Sequence, residues 1–166
     1  MPVSSKNKKP PFTNRHQGRE LALQLLYAFE MISGKGPGSI STLKTVIANY
    51  KIVEREHEIP LNDFTIDLLQ TVINNLGQVD QHLKDVITNW KLDRLSHIDR
   101  NLLRLAVAEL YFFGDIPPKV TINEYIEIAK VFGDNDSPSF VNGILDSIAR
   151  KSEKGKDIQS CPHQIV

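Results

Sequence analysis

Three places in the sequence hold residue types that could bind or react. The first is Arg15, His16 and Arg19. Arg15 and Arg19 stand four residues apart, so on a helix they share one face. Cations at a helix start oppose its dipole, which is locally unfavourable, and contact with phosphate would account for them. The plain alternative is that they extend into water. The second place is FGDNDSPSFVNG, residues 132–143. Asp134, Asn135 and Asp136 suit a turn between two helices. With Phe132 and Phe140 beside them, the same residues suit a surface on which an unstacked base lies flat and meets a polar side chain. The third is a scatter of titratable groups. Asp93, Asp99 and Glu109 have the residue type of an acid/base carboxylate, but helix-start charge and solvated face explain them as well. His16, His57, His82, His97 and His163 show no metal-ligand spacing, and no phosphate loop, HExxH or cysteine pair occurs. The inventory points to binding, not catalysis, with no metal and no cofactor.

Bulk composition narrows the class further. The chain has 166 residues, with 40% apolar content and 20 basic residues against 20 acidic ones. Such a length buries one good core or two small helical layers that share a face. Net charge says nothing of a polyanion partner, but its distribution does. Lys6, Lys8, Lys9, Arg15 and Arg19 precede any acidic residue, and Arg150, Lys151, Lys154 and Lys156 gather near the other end. Basic residues clustered at a terminus are the footprint of a polyanion-binding arm, or simply a solvated tail. One cysteine, Cys161, makes no internal disulfide. The opening residues carry charge without an apolar stretch behind it, and no apolar run nears membrane-spanning length. The expectation is a cytoplasmic protein.

Apolar periodicity then supplies the elements. Residues 1–14 read as a disordered basic leader. Leu21, Leu25, Ala28 and Ile32, flanked by Ala22, Leu26 and Phe29, form a helical stripe from about Arg15, which GKGPG at 34–38 ends. A second helix spans about Thr42 to Tyr50. A third keeps period from Phe64 to Trp90, with Asn62 or Asp63 as N-cap and Gly77 as a place to bend or to let a neighbour approach. Ser96 with Asp99 and Thr121 with Glu124 read as capping boxes for two further helices. Gly133 reads as a C′ residue, and Ser137 as N-cap with Pro138 at N1 starts the last helix. No alternation suggests a sheet. The fold class is all-α, as two packed three-helix subdomains, 15–90 and 91–150, followed by a polar tail, 151–166.

Four segments together carry a resemblance: RHQGRELALQLLY (15–27), DRNLLRLAVAEL (99–110), PPKVTINEYIEIAKVFG (117–133) and FVNGILD (140–146). They resemble the NusB family of transcription antitermination factors, from about Arg15 to Arg150. The resemblance implies a non-catalytic helical protein. Such a protein pairs with the ribosomal protein NusE, binds the single-stranded boxA element of nascent ribosomal RNA, and joins the RNA polymerase antitermination complex. It places Arg15, His16 and Arg19 at the family's phosphate-contacting start and Tyr27 at the tyrosine of its first helix. Phe132 and Phe140 match aromatics near the RNA, and Asp136 an acidic position linked to affinity. Asp99 and Arg104 fall on the face that meets NusE. The start of the first helix is thinner in arginine than the family pattern, with His16 and Gln17 where arginine is frequent. Some relatives form homodimers, and periodicity does not decide between the two states here. A protein-only adaptor that docks NusE without specific RNA binding is the rival reading. Related domains also front RNA methyltransferases, but this sequence has no glycine-rich cofactor loop.

Overall fold

The computed structural model describes residues 11–34, 38–53, 60–89 and 91–159, with side chains from 15 to 152 outside 35–37, 52–59 and 90. Lys6, Lys8, Lys9, His57, Trp90, Cys161 and His163 lie outside the described residues. Among the described residues there are seven α-helices and no strand: α1 (Pro11–Ser33), α2 (Ile40–Val53), α3 (Asp63–Asn74), α4 (Leu76–Lys84), α5 (His97–Phe112), α6 (Pro118–Phe132) and α7 (Ser137–Gln159). A short 3-10 turn, Leu92–Arg94, leads into α5. None of these helices is long and apolar enough to cross a membrane.

Helix boundaries follow local chemistry, though not always the chemistry expected. α1 starts at Pro11, four residues before Arg15, because proline is pre-set for the first helical position. Arg15 therefore stands one turn inside, where opposition to the dipole is weaker. Gly34 closes α1 with φ at 64° and donates its N–H to the Glu30 carbonyl at 3.2 Å. The long helix expected from Phe64 to Trp90 is two helices. Asn75 leaves helical geometry at φ −118°, ψ 20°, and both its N–H and its Nδ2 donate to the Thr71 carbonyl, at 3.1 and 2.8 Å. Gly77 marks no close approach, since a Cβ there would touch nothing, and the break between the two helices falls at Asn75. α7 runs on to Gln159 through much of the expected tail.

α5 organises the rest. Leu102, Leu103, Leu105, Ala106, Val107, Ala108 and Glu109 are all buried, so this helix has almost no solvent face. A helix buried on all sides must be central, and α5 packs against α1, α3, α4, α6 and α7. α1 contributes Leu21, Ala22, Leu23, Leu25, Leu26 and Phe29, while Ile32 is 59% exposed and falls off the expected stripe. α6 and α7 add Ile122, Tyr125, Ile128, Val141 and Leu145 to the same continuous core.

Candidate nucleic-acid interface

Side-chain pairs fix how three helices lie. Arg15 meets Asp115, Arg19 meets Glu109, Tyr27 meets His97 and Glu30 meets Arg100, so α5 runs antiparallel to α1. Arg19 also meets Glu124, and Tyr27 shares a hollow with Phe132, so α6 runs parallel to α1. One seam thus carries the phosphate-type residues at one end and the aromatics at the other. Twelve helical residues separate Arg15 from Tyr27, about 18 Å at 1.5 Å per residue.

Arg19 is not where the sequence placed it. Its side chain is 2% exposed, and it grips the fully buried Glu109 with Nε at 2.9 Å and Nη2 at 2.6 Å. Nη1 reaches Glu124 at 3.3 Å. Burial alone would lower the Arg19 pKa, but the Glu109 hydrogen bond and charge outweigh it and hold the guanidinium above its ordinary value. Arg19 is thus a strut between helices, and a phosphate contact from it is withdrawn. The expected Thr121–Glu124 capping box is undone by the same network. α6 already starts at Pro118, so Thr121 sits inside its first turn. There Thr121 donates to Glu109 at 2.8 Å, and the Tyr125 hydroxyl donates to the other Glu109 oxygen at 3.2 Å. Burial first, and then the Glu109 charge, push the Tyr125 pKa well above its ordinary value, so the phenol stays a donor.

Arg15 and His16 do reach the surface. Arg15, 42% exposed, places Nη2 2.8 Å from Asp115 Oδ2 and its guanidinium carbon 5.4 Å from the centre of the Phe64 ring. His16 lies between two carboxylates, Nδ1 2.7 Å from Glu124 and Nε2 3.5 Å from Glu20. Phe64 is the floor of this end. It receives the Arg19 guanidinium at 5.2 Å as well and packs edge-on against Phe113 at 5.7 Å. Gly18 lets the start of α3 come this near. A Cβ at 18 would lie 3.0 Å from Thr65 Oγ1, 3.1 Å from Phe64 and 3.2 Å from Asn62, and Thr65 Oγ1 donates to the Gly18 carbonyl at 3.1 Å.

At the other end, Leu23, Gln24, Tyr27, Ile98 and Phe132 line a shallow apolar hollow of about 180 Å³. Tyr27 is 39% exposed and stands edge-on to His97, ring centres 6.0 Å apart. The turn that follows Phe132 is built by backbone and Ser137. The Asp134 N–H donates to Ser137 Oγ at 2.9 Å, and the Ser137 N–H donates back to the Asp134 carbonyl at 3.1 Å. Ser137 is therefore the first residue of α7 and not its N-cap. Gly133 is not left-handed, with φ at −92°. Glycine is required there because a Cβ would stand 2.5 Å from that of Ser137. Asp134, Asn135 and Asp136 point outward, and among the described residues no hydrogen bond holds the Asp136 carboxylate. Phe140, half-buried in the first turn of α7, packs against the core.

The two positions assigned to a protein partner differ in freedom. Asp99 gives its N–H to Ser96 Oγ at 3.0 Å, as the capping pattern predicts, but its Oδ1 is buried with no partner among the described residues. Arg104 forks onto Asp80 at 2.8 and 2.9 Å and reaches Glu30 at 3.3 Å. Glu30, passed over in the sequence, is a hub that also accepts from Arg100 and Asn101 and lies 2.8 Å from His97 Nδ1. Burial raises its pKa, but the His97 and Arg100 hydrogen bonds outweigh this and hold it below the usual glutamate value. Glu109 did carry a signal: a carboxylate inside an apolar stripe needs a buried cation.

The pattern of the NusB family matches residues 16–150. The chain is 43% identical over 141 residues to the transcription antitermination protein NusB of Geobacter sp. (strain M21), covering 82% of this chain and 94% of that protein. It is 40% identical over 153 residues to NusB of Desulfitobacterium hafniense (strain Y51), covering 89% and 98%. Its fold is similar to that of T. maritima NusB, with a TM-score of 0.68 at 33% identity, over 90% of this chain and 99% of that one. A chain in the crystal structure of antitermination factors NusB and NusE in complex with dsRNA gives a TM-score of 0.65 at 27% identity, over 84% and 98%. By sequence pattern and by fold, this chain belongs to the NusB family.

Proposed function

We propose that the protein is a cytoplasmic, non-catalytic antitermination factor. In this reading it binds the single-stranded boxA element of nascent ribosomal RNA together with NusE and joins the RNA polymerase complex. The observation that carries it is the likeness, over nearly the whole described chain, to a NusB solved with NusE and RNA. The seam between α1 and α6 supports it: Arg15 supplies a cation and His16 a polar ring at one end, and Tyr27 and Phe132 supply open aromatic surface at the other. Phosphate contacts position the strand without reading sequence. Stacking of splayed bases on Tyr27, Phe132 and Phe140 contributes about 1–3 kcal/mol per base. Asp136, whose carboxylate has no hydrogen-bond partner among the described residues, tunes affinity by accepting from a base edge or repelling phosphate. Asp99 offers NusE a partly buried carboxylate at the start of α5, and Arg104 lends charge from its Asp80 pair.

The test is a titration of labelled boxA RNA, a scrambled strand and a duplex, with and without NusE. Preferential boxA binding that strengthens with NusE and weakens in Phe140→Ala is the expected outcome. Equal binding to all three RNAs overturns the reading. One observation favours the rival: Arg15, His16 and Arg19 each already face a carboxylate. An adaptor that docks NusE alone would bind its partner with the same affinity whether or not boxA RNA is present.

A further inference from the structure

Arg15 is held from two sides by elements that are themselves anchored. Phe64 lies beneath its guanidinium, and Asp115 closes on it from the connection between α5 and α6. That connection is short and pinned on both sides of Asp115. Phe113 packs on Phe64, Ile116 is buried, and the Ile116 N–H donates to the Phe113 carbonyl at 3.4 Å. Asp115 is therefore presented at a fixed place while its own carboxylate stays in solvent, 61% exposed. Among the described residues only Nη2 of Arg15 is engaged in a hydrogen bond, so most of the guanidinium's donors are left for another acceptor. A phosphate takes such a fork with two parallel bonds, where this carboxylate takes one. The neighbouring side chains do not compete for the strand in the same way, because Arg19 is buried and His16 lies between Glu20 and Glu124.

We propose that Asp115 is an intramolecular stand-in for RNA phosphate: it occupies Arg15 in the free protein and is displaced when the strand arrives. The inference rests on the RNA-binding reading and deepens it by naming the group that sets the affinity of this end of the seam. Phe64 keeps the guanidinium in place during the exchange, so the cation need not be reordered as the strand binds. The pair lowers affinity for any polyanion. Weak ligands are filtered out, and a strand that also stacks on the far aromatics is favoured.

The experiment compares four full-length proteins: wild type, Asp115→Asn, Arg15→Gln and the double variant. Each is titrated with fluorescein-labelled single-stranded boxA RNA in the presence of NusE at two salt concentrations. Removing an exposed ion-pair partner is expected to tighten binding by about two- to fivefold in Asp115→Asn. That gain should vanish in the Arg15→Gln background. A gain of equal size in both backgrounds would mean that Asp115 acts by general charge repulsion, and the proposal falls. No gain in either also overturns it, even while the wild type binds boxA normally. A second readout needs no RNA. Arg15 holds the Asp115 carboxyl below the usual carboxylate range, so the carbon-13 titration of Asp115 should move up in Arg15→Gln. An unmoved titration overturns the pair itself. If none of the four proteins binds RNA while the Asp115 titration does shift, the RNA reading has failed and this proposal falls with it.

Discussion

Replacing Arg19 with methionine separates a strut from a ligand. In the native protein Glu109 is fully buried and accepts two bonds from Arg19, one from Thr121 and one from Tyr125. The variant keeps much of the side chain's length but leaves a buried carboxylate with two hydroxyls and no cation. Removing one member of a buried ion pair costs about 3–5 kcal/mol, a large share of the ~5–15 kcal/mol that holds a domain folded. In urea that corresponds to a midpoint lowered by roughly 2 M. The assay is urea unfolding followed by far-UV circular dichroism. The double variant Arg19→Met, Glu109→Leu should recover part of the loss, because an apolar pair does not strand a charge. Recovery stays incomplete, since Thr121 and Tyr125 lose their acceptor. The coupling between the two changes should then be at least ~2 kcal/mol. RNA affinity of Arg19→Met, measured where it is still folded, should stay within about twofold of wild type, the size of a minor surface change. If stability falls by less than ~1 kcal/mol while RNA affinity drops tenfold, Arg19 is a ligand after all and the reasoning fails.

Other expectations follow from the same geometry. Gly18→Ala gains helix propensity but presses a methyl group into Thr65, Phe64 and Asn62 at once. Thermal unfolding should show a net loss of about 1–2 kcal/mol; a neutral or stabilising result would mean that α3 shifts freely. Glu30 has a folded-state pKa below the ordinary value. Its contribution is therefore fully present above the ordinary glutamate pKa and is lost as pH falls through the depressed folded value. Urea midpoints from pH 7 to 3 should decline less steeply in Glu30→Gln, and an unchanged slope contradicts the hub. Asn62 caps α3 by accepting from the Thr65 N–H at 2.9 Å. Asn62→Ala should therefore cost about 0.5–2 kcal/mol in the same denaturation assay.

What could be read from the sequence was whatever short-range pattern decides. Helix content, the stop at Gly34 and the Ser96 cap all rest on residues a few places apart, and each appears in the structure. Pro11 suits a first helical position too, although it stands within the basic leader. The errors share another origin. Thr121 and Glu124 fit a capping box by spacing, yet the Thr121 hydroxyl answers to Glu109 and the Glu124 carboxylate to Arg19 and His16, the last two over a hundred residues away from it. Arg19 looked like surface because arginine usually is. Its burial depends on Glu109, 90 residues on, and nothing local reports that. Asn75 breaks a run whose apolar period continues across it, and its side chain adds a second bond to the Thr71 carbonyl that its own N–H already uses. The aromatic hollow escaped for the same reason: Tyr27 and Phe132 meet only through the register of α1 and α6.

The pairing of Arg19 with Glu109 also sets a clock on the ribosome. Chains emerge at about 5–20 residues per second, so the first helix waits roughly 4–18 seconds for the residue that neutralises its buried cation, 90 positions later. Until then its leucine stripe and its guanidinium have no shared place to go. The seam between α1 and α6 thus closes late in synthesis, although one of its walls is made well before the other. A nascent chain would display that helix to chaperones well before it could fold it away.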